Sequence, residues 1–207
     1  NDPWAAGLAM IDEGRNEEAV EYFRRKLWEQ GGLHFNIGLP LYRLGRNEEA
    51  LVHFEKAVEI EPEDPEYLNL LGQTFEELGQ TEEAELTLLK SLKADPDYAL
   101  SYYDLGVVLA KRRTRDAEAK ACFDKAIALD PGMGWAYYCI ACMKAIEGKK
   151  QDALKHLRTA FEKGVRDRRH IAKDTDLDSL RGDPAFQKLL RRYFSDTDGE
   201  SRTGIGT

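Results

Sequence analysis

A block of six residues returns along this chain at a nearly fixed interval. Gly45-Arg46-Asn47-Glu48-Glu49-Ala50 comes back as Gly79-Gln80-Thr81-Glu82-Glu83-Ala84, a shift of 34 residues. An earlier copy starts at Gly14 and a later one at Gly148, while Arg115-Asp116-Ala117-Glu118-Ala119 is a looser copy without the Gly. Downstream of the copies come a large apolar residue and then a small one: Phe54 and Ala57, Leu88 and Ser91, Phe123 and Ala126, Leu157 and Ala160. Pro62, Pro96 and Pro131 punctuate the array at spacings of 34 and 35, which places one inserted residue near Arg112-Arg113-Thr114. A period of this length means supersecondary units that cannot bury their apolar faces alone and must stack on their neighbours.

Each unit reads as two helices. In the third, Leu68, Leu71, Gly72, Phe75 and Leu78 follow the i, i+3, i+4, i+7 spacing of one helical face, and Gly79 stops the helix. Thr81 is placed to cap the next helix, and the acidic run Glu82 to Glu85 suits its positive N-terminal end. Asp95-Pro96 ends that helix, because Pro cannot continue the hydrogen-bond ladder and disfavours helix just before itself. Gly72 and Ala84 are small so that paired helices approach closely.

The residues Leu71-Gly72, Phe75, Gly79, Ala84 and Pro96 resemble those of the tetratricopeptide repeat family. So do Ile37-Gly38, Gly45, Ala50, Phe54, Ala57 and Pro62, and then Tyr102, Leu105-Gly106, Ala119, Phe123, Ala126 and Pro131. The resemblance implies an all-α chain: a right-handed α-solenoid of about five helix pairs with a C-terminal capping helix. The pairs are expected over about 3–30, 31–64, 65–98, 99–133 and 134–165, followed by a capping segment over 166–194 and a flexible tail over 195–207. In the cap, Asp183 precedes Pro184 at a helix start, and Phe186, Leu189, Leu190, Tyr193 and Phe194 form one apolar stripe.

In this family the concave face is built mainly from the first helix of each unit, at positions three before, one after and four after the helix Gly. The implied binding residues are Phe35, Leu39 and Tyr42, then Asn69, Gln73 and Glu76, then Tyr103 and Val107, with Trp135 and Tyr138 in the fifth unit. Both ends of that groove are aromatic and aliphatic, and its middle is polar and acidic. Exposed aromatics mark interaction sites. The amides of Asn69 and Gln73 suit a peptide main chain, which both donates and accepts. Glu76 and Glu77 favour a Lys or Arg nearby on the ligand. Pro40, inside the first helix of the second unit, is read as a kink that sets the superhelix.

A subgroup of the family grips the carboxylate ends of chaperone tails with Lys, Asn and Arg. At those positions this chain has Trp4, Leu8, Asn36, Glu66 and Leu70, so only Asn36 matches and no such clamp is expected.

Composition narrows the classes further. Among 207 residues, 33% are charged and 42% apolar, a balance that suits a thin stack whose helices mostly face water. No run approaches the ~18 apolar residues of a spanning helix. Three Cys do not make a disulfide framework. Cys139 and Cys142 form a CxxC inside a predicted helix, where they read as small buried side chains. The net charge of −8 argues against general nucleic-acid binding. It averages −13 over residues 1–98 (9 basic, 22 acidic) and +5 over residues 99–207 (21 basic, 16 acidic). The four His are scattered, and no phosphate loop, nucleophile elbow or metalloprotease motif appears.

The expectation is therefore a non-catalytic adaptor or co-chaperone-like scaffold, with no cofactor, no metal and no catalytic residue. It binds another protein, through a peptide segment or partner helix in its concave groove. The competing expectations are a self-assembling homo-oligomer whose groove is filled by another copy, and a regulatory domain of a larger protein. No basic-then-apolar leader is visible near Asn1, which gives a cytoplasmic location as the expectation, whether or not the true N-terminus is present.

Overall fold

The computed structural model of this chain describes residues 3–26 and 31–194, and among these every regular element is helical. The expected tail over 195–207 lies outside the described residues. The helices are α1 (Pro3–Asp12), α2 (Asn16–Lys26), α3 (Gly31–Arg43), α4 (Asn47–Ile60), α5 (Pro65–Glu77), α6 (Thr81–Ala94), α7 (Ala99–Lys111), α8 (Asp116–Leu129), α9 (Gly134–Ile146) and α10 (Lys150–Glu162). A short α11 (Arg168–Lys173), a 3-10 helix (Thr175–Leu180) and α12 (Pro184–Tyr193) follow. From α1 to α7 each helix packs on the next, and α9 packs on α10. Two compact units result, Asn1–Cys122 and Phe123–Thr207, with the division falling inside α8.

The repeated hexad explains the local geometry. Gly45 and Gly79, just past the first helices of their pairs, have φ of 73° and 75°, the left-handed region where a side chain is strained. In the fourth pair, whose hexad copy lacks the Gly, Arg113 takes that conformation instead, with φ 52°. Helix starts differ in one respect from the sequence expectation. Thr81 is the first helical residue of α6 rather than its cap; Gln80 holds the cap position and makes no side-chain cap bond. Asp64, by contrast, accepts from the N–H groups of Glu66 and Tyr67 ahead of Pro65, and Asp183 accepts from Ala185 ahead of Pro184.

The helix Gly of the first three pairs is required by close approach. A Cβ at Gly38 would lie 2.7 Å from the Phe54 ring, and one at Gly72 would lie 2.7 Å from Leu88. Pro40 is accommodated without ending α3, which runs on to Arg43.

In the first unit Ile11, Phe23, Leu33, Ile37, Leu41, Phe54 and Leu71 form a continuous core. In the second, Leu157, Phe161, Ile171, Leu177, Leu180 and Phe186 do so. The apolar stripe of α12 closes this second core: the rings of Tyr193 and Phe194 lie 5.5 and 5.2 Å from Phe161. Each fully buried aliphatic or aromatic side chain contributes about 1.5–3 kcal/mol, which is why a repeat array needs such a lid at its end.

Much of the charge is spent at the surface. Arg46 reaches Glu49 at 2.6 Å, and Arg15–Glu18 and Arg115–Glu118 repeat the pair at the starts of α2 and α8. Such exposed pairs are worth at most about 1 kcal/mol each. No helix among the described residues is long and apolar enough to cross a membrane.

Candidate functional site

Five of the ten sequence-derived positions come together. Tyr42 of α3, Gln73 and Glu76 of α5, and Tyr103 and Val107 of α7 line one pocket of about 160 Å³, together with Glu77, Leu88, Asp104 and Val108. All of it lies within the first compact unit.

Helical spacing builds the pocket. Gln73 and Glu76 stand three apart on α5, and Tyr103 and Val107 stand four apart on α7, so each pair shares a helix face. α5 also packs directly on α7, which brings the two faces together. Leu88 and Val108, both buried, close the floor.

Asp104 is the chemical centre. Its Oδ2 accepts from the Asn69 amide at 2.8 Å and from the Gln73 amide at 2.8 Å. Asn69 gives its other hydrogen to Ser101 Oγ at 3.1 Å, and Gln73 gives its other to Asn69 Oδ1 at 3.0 Å. Ser101 and Ser91 share a hydrogen bond at 2.7 Å, and Ser91 donates to the Pro65 carbonyl at 2.8 Å. The polar chain is satisfied link by link, as a buried network must be.

Among the described residues no cation pairs with Asp104, and its Oδ1 accepts no bond. Burial therefore pushes its carboxyl up to about 6, against the pull of the two amides, and Glu76 raises it further. Burial and the carboxylates of Glu77, Asp104 and Glu76 likewise push the Tyr42 hydroxyl up to about 12. At the rim, Glu76 is paired with Lys111.

The other five residues fall elsewhere. Asn69 is only 1% exposed, so it holds Asp104 from behind rather than facing the pocket. Phe35 is buried, stacked on Tyr67 at 4.7 Å and tilted against Phe54 at 6.0 Å. Leu39 is half-buried against the same core. Trp135 and Tyr138 belong to the second unit. There Tyr138, 3% exposed, donates to Asp174 Oδ2 at 2.6 Å, and its ring meets those of Trp135 and His170. The Cys142 thiol donates to the same carboxylate at 3.5 Å, and burial raises its pKa. Cys139 is half-buried, and none of the three cysteines is in a disulfide.

Asp104 is the residue that the concave-face positions passed over. It stands two before Gly106, the place where Asn36 stands before Gly38 in the second unit. Asn36 is also nearly buried, its amide donating to the Gly32 carbonyl at 2.6 Å.

Comparison with known proteins adds a family and a fold. A family model described as TPR repeat matches residues 38–79, and one described as tetratricopeptide repeat matches 65–98 and 99–133. The protein CTR9 homolog of Arabidopsis thaliana is 33% identical over 81 residues, 39% of this chain. That stretch spans only 7% of the plant protein. Among solved structures, TTC0263, a thermophilic TPR protein of Thermus thermophilus, matches with a TM-score of 0.72 over 86% of this chain and 97% of its own, at 21% identity. MamA matches with a TM-score of 0.64 over 76% of this chain and 93% of its own, at 22% identity. At such identities these two speak for the fold alone. YrrB, described as a TPR protein with an unusual peptide-binding site, matches at 28% identity and a TM-score of 0.57, over 65% of this chain and 70% of its own.

Proposed function

We propose that this chain, whose residues 38–133 match tetratricopeptide repeat models, is a non-catalytic interaction scaffold that binds a peptide segment or partner helix along the faces of α3, α5 and α7. The observation that carries this reading is the convergence of Tyr42, Gln73, Glu76, Tyr103 and Val107 on one pocket. The rings and aliphatic groups supply area for a partner's side chain, and the Gln73 and Glu76 carbonyl and carboxylate oxygens supply acceptors. The peptide-binding site named for YrrB is in keeping with this reading.

Selection of random 12-residue peptides on the intact chain, followed by fluorescence anisotropy with the synthesised winners, tests the proposal. Tyr103→Ala is expected to weaken binding by about tenfold or more, as removal of an aromatic anchor does, with the helical circular dichroism unchanged. Failure to enrich any peptide, or affinities unchanged in both Tyr103→Ala and Gln73→Ala, overturns it.

A further inference from the structure

We infer that the pocket between α5 and α7 receives a basic side chain, a lysine or arginine of the bound segment, with the unpartnered Oδ1 of Asp104 as its acceptor. This inference rests on the proposed binding site and names the chemistry of its occupant.

Three observations lead to it. First, the pocket holds three carboxylates, Glu76, Glu77 and Asp104, and the ion pairs of the described residues neutralise one of them, Glu76 by Lys111. Asp104 and Glu77 have no cationic partner there, so two negative charges face the same small space. Second, Asp104 is held for accepting. Asn69 and Gln73 both aim their N–H groups at Oδ2, which holds the carboxylate in the pocket lining and leaves Oδ1 without a donor among the described residues. Both hydrogens of each amide are used inside the network, so the network offers the ligand acceptors and not donors. The Gln73 carbonyl oxygen, which has no bond of its own among the described residues, adds another. Third, the walls are the rings of Tyr42 and Tyr103 with Val107 and Val108. Aromatic faces attract a cation, more strongly when it leaves water, and the apolar walls suit the methylene stem behind it.

Charge complementarity selects among occupants. An acidic side chain would face two unpaired carboxylates at close range, a like-charge contact that a desolvated site rejects. A neutral one would leave Asp104 buried and uncompensated. A cation satisfies Oδ1 and is itself satisfied.

The test uses capped amino acids as probes, followed by NMR chemical shifts of the intact protein. Nα-acetyl-lysine methylamide and Nα-acetyl-arginine methylamide are expected to shift signals of α5 and α7 in a saturable way. The neutral Nα-acetyl-norleucine methylamide, with nearly the same stem, is expected not to. Asp104→Asn, which keeps the shape and removes the charge, is expected to weaken the basic probes about tenfold. Glu77→Gln is expected to weaken them about two- to threefold, as befits a more exposed charge, and it serves as the second variant. Equal shifts from the norleucine probe, or basic-probe affinities unchanged in Asp104→Asn and Glu77→Gln alike, overturn the inference. A selected 12-residue peptide that loses no affinity when its Lys and Arg become norleucine also overturns it, yet leaves the proposed function standing. Failure of every peptide to bind counts against the function itself.

Discussion

Tyr103 in α7 and Tyr138 in α9 hold the same place in their repeats, three before the small residue of the helix, yet the structure uses them in opposite ways. Tyr103 is half-buried on the wall of a pocket whose carboxylate has an open oxygen. Tyr138 is almost wholly buried, and its hydroxyl donates to Asp174, which α11 and the 3-10 helix bring over it. Asp174 also accepts from the Asp176 N–H and so starts that 3-10 helix. One carboxylate thus keeps an oxygen without a donor, and the other has donors on both. The lesson is that a repeat position is neither core nor surface by itself. What decides is whether a later element lies over it, and in the second unit the capping segment does.

The largest effect expected from this contrast is on stability. Tyr138→Ala removes a buried ring and is expected to lower the unfolding free energy by about 3–5 kcal/mol, read by urea denaturation. Tyr103→Ala is expected to cost less than about 1.5 kcal/mol, since the pocket is open to water. Equal costs would break the comparison. Next comes Asp104→Asn. Folded, the Asp104 carboxyl titrates at about 6, above the roughly 3.9 of an exposed aspartate. Between those values the folded state holds the extra proton, so this group's contribution falls as pH rises and its cost is complete above pH of about 7. Its neighbour Glu76 raises the carboxyl further and gives it no relief. Asp104→Asn is therefore expected to stabilise the protein by about 1–3 kcal/mol at a pH of about 7.5, with the gain vanishing near a pH of about 4. A variant less stable than the parent at the higher pH contradicts the account. In the second unit Asp174→Asn, at a carboxylate with donors on both oxygens, is expected to destabilise at the same pH.

An effect of similar size tests the packing of the first unit. Gly38→Ala puts a methyl group against the Phe54 ring and is expected to cost about 1–3 kcal/mol. The smallest is Arg113→Gly, which relieves a left-handed residue and is expected to shift stability upward by no more than about 1 kcal/mol. Thermal melting of both variants checks them.

Much of the fold was legible because the repeat states it several times. The Gly hexad, the large apolar residue two turns later and the closing Pro each have one physical job, and each recurs in register. The stripe Phe186, Leu189, Tyr193 and Phe194 was legible for the same reason, as an apolar face needing a partner. Thr81 was misread as a cap because its hydroxyl suits that role, whereas the cap lies one residue earlier at Gln80. The site was legible in part. Fixed positions along each first helix picked out Tyr42, Gln73, Glu76, Tyr103 and Val107, which share one pocket and whose binding role is the proposal. They gave Asn69 a ligand-facing role that its burial and its bonds to Ser101 and Asp104 assign to support instead. Asp104 escaped because its meaning lies in a neighbour 35 residues away, and a single helix face does not show it.

A photoreactive benzoylphenylalanine placed beside the basic residue of a selected 12-residue peptide, cross-linked to the intact chain and located by mass spectrometry, tests the central claim most directly. The account predicts attachment within α5 or α7, at or next to Gln73, Glu77, Tyr103 or Val107. Attachment to α9 or to the capping segment, around Tyr138 or Asp174, would contradict it.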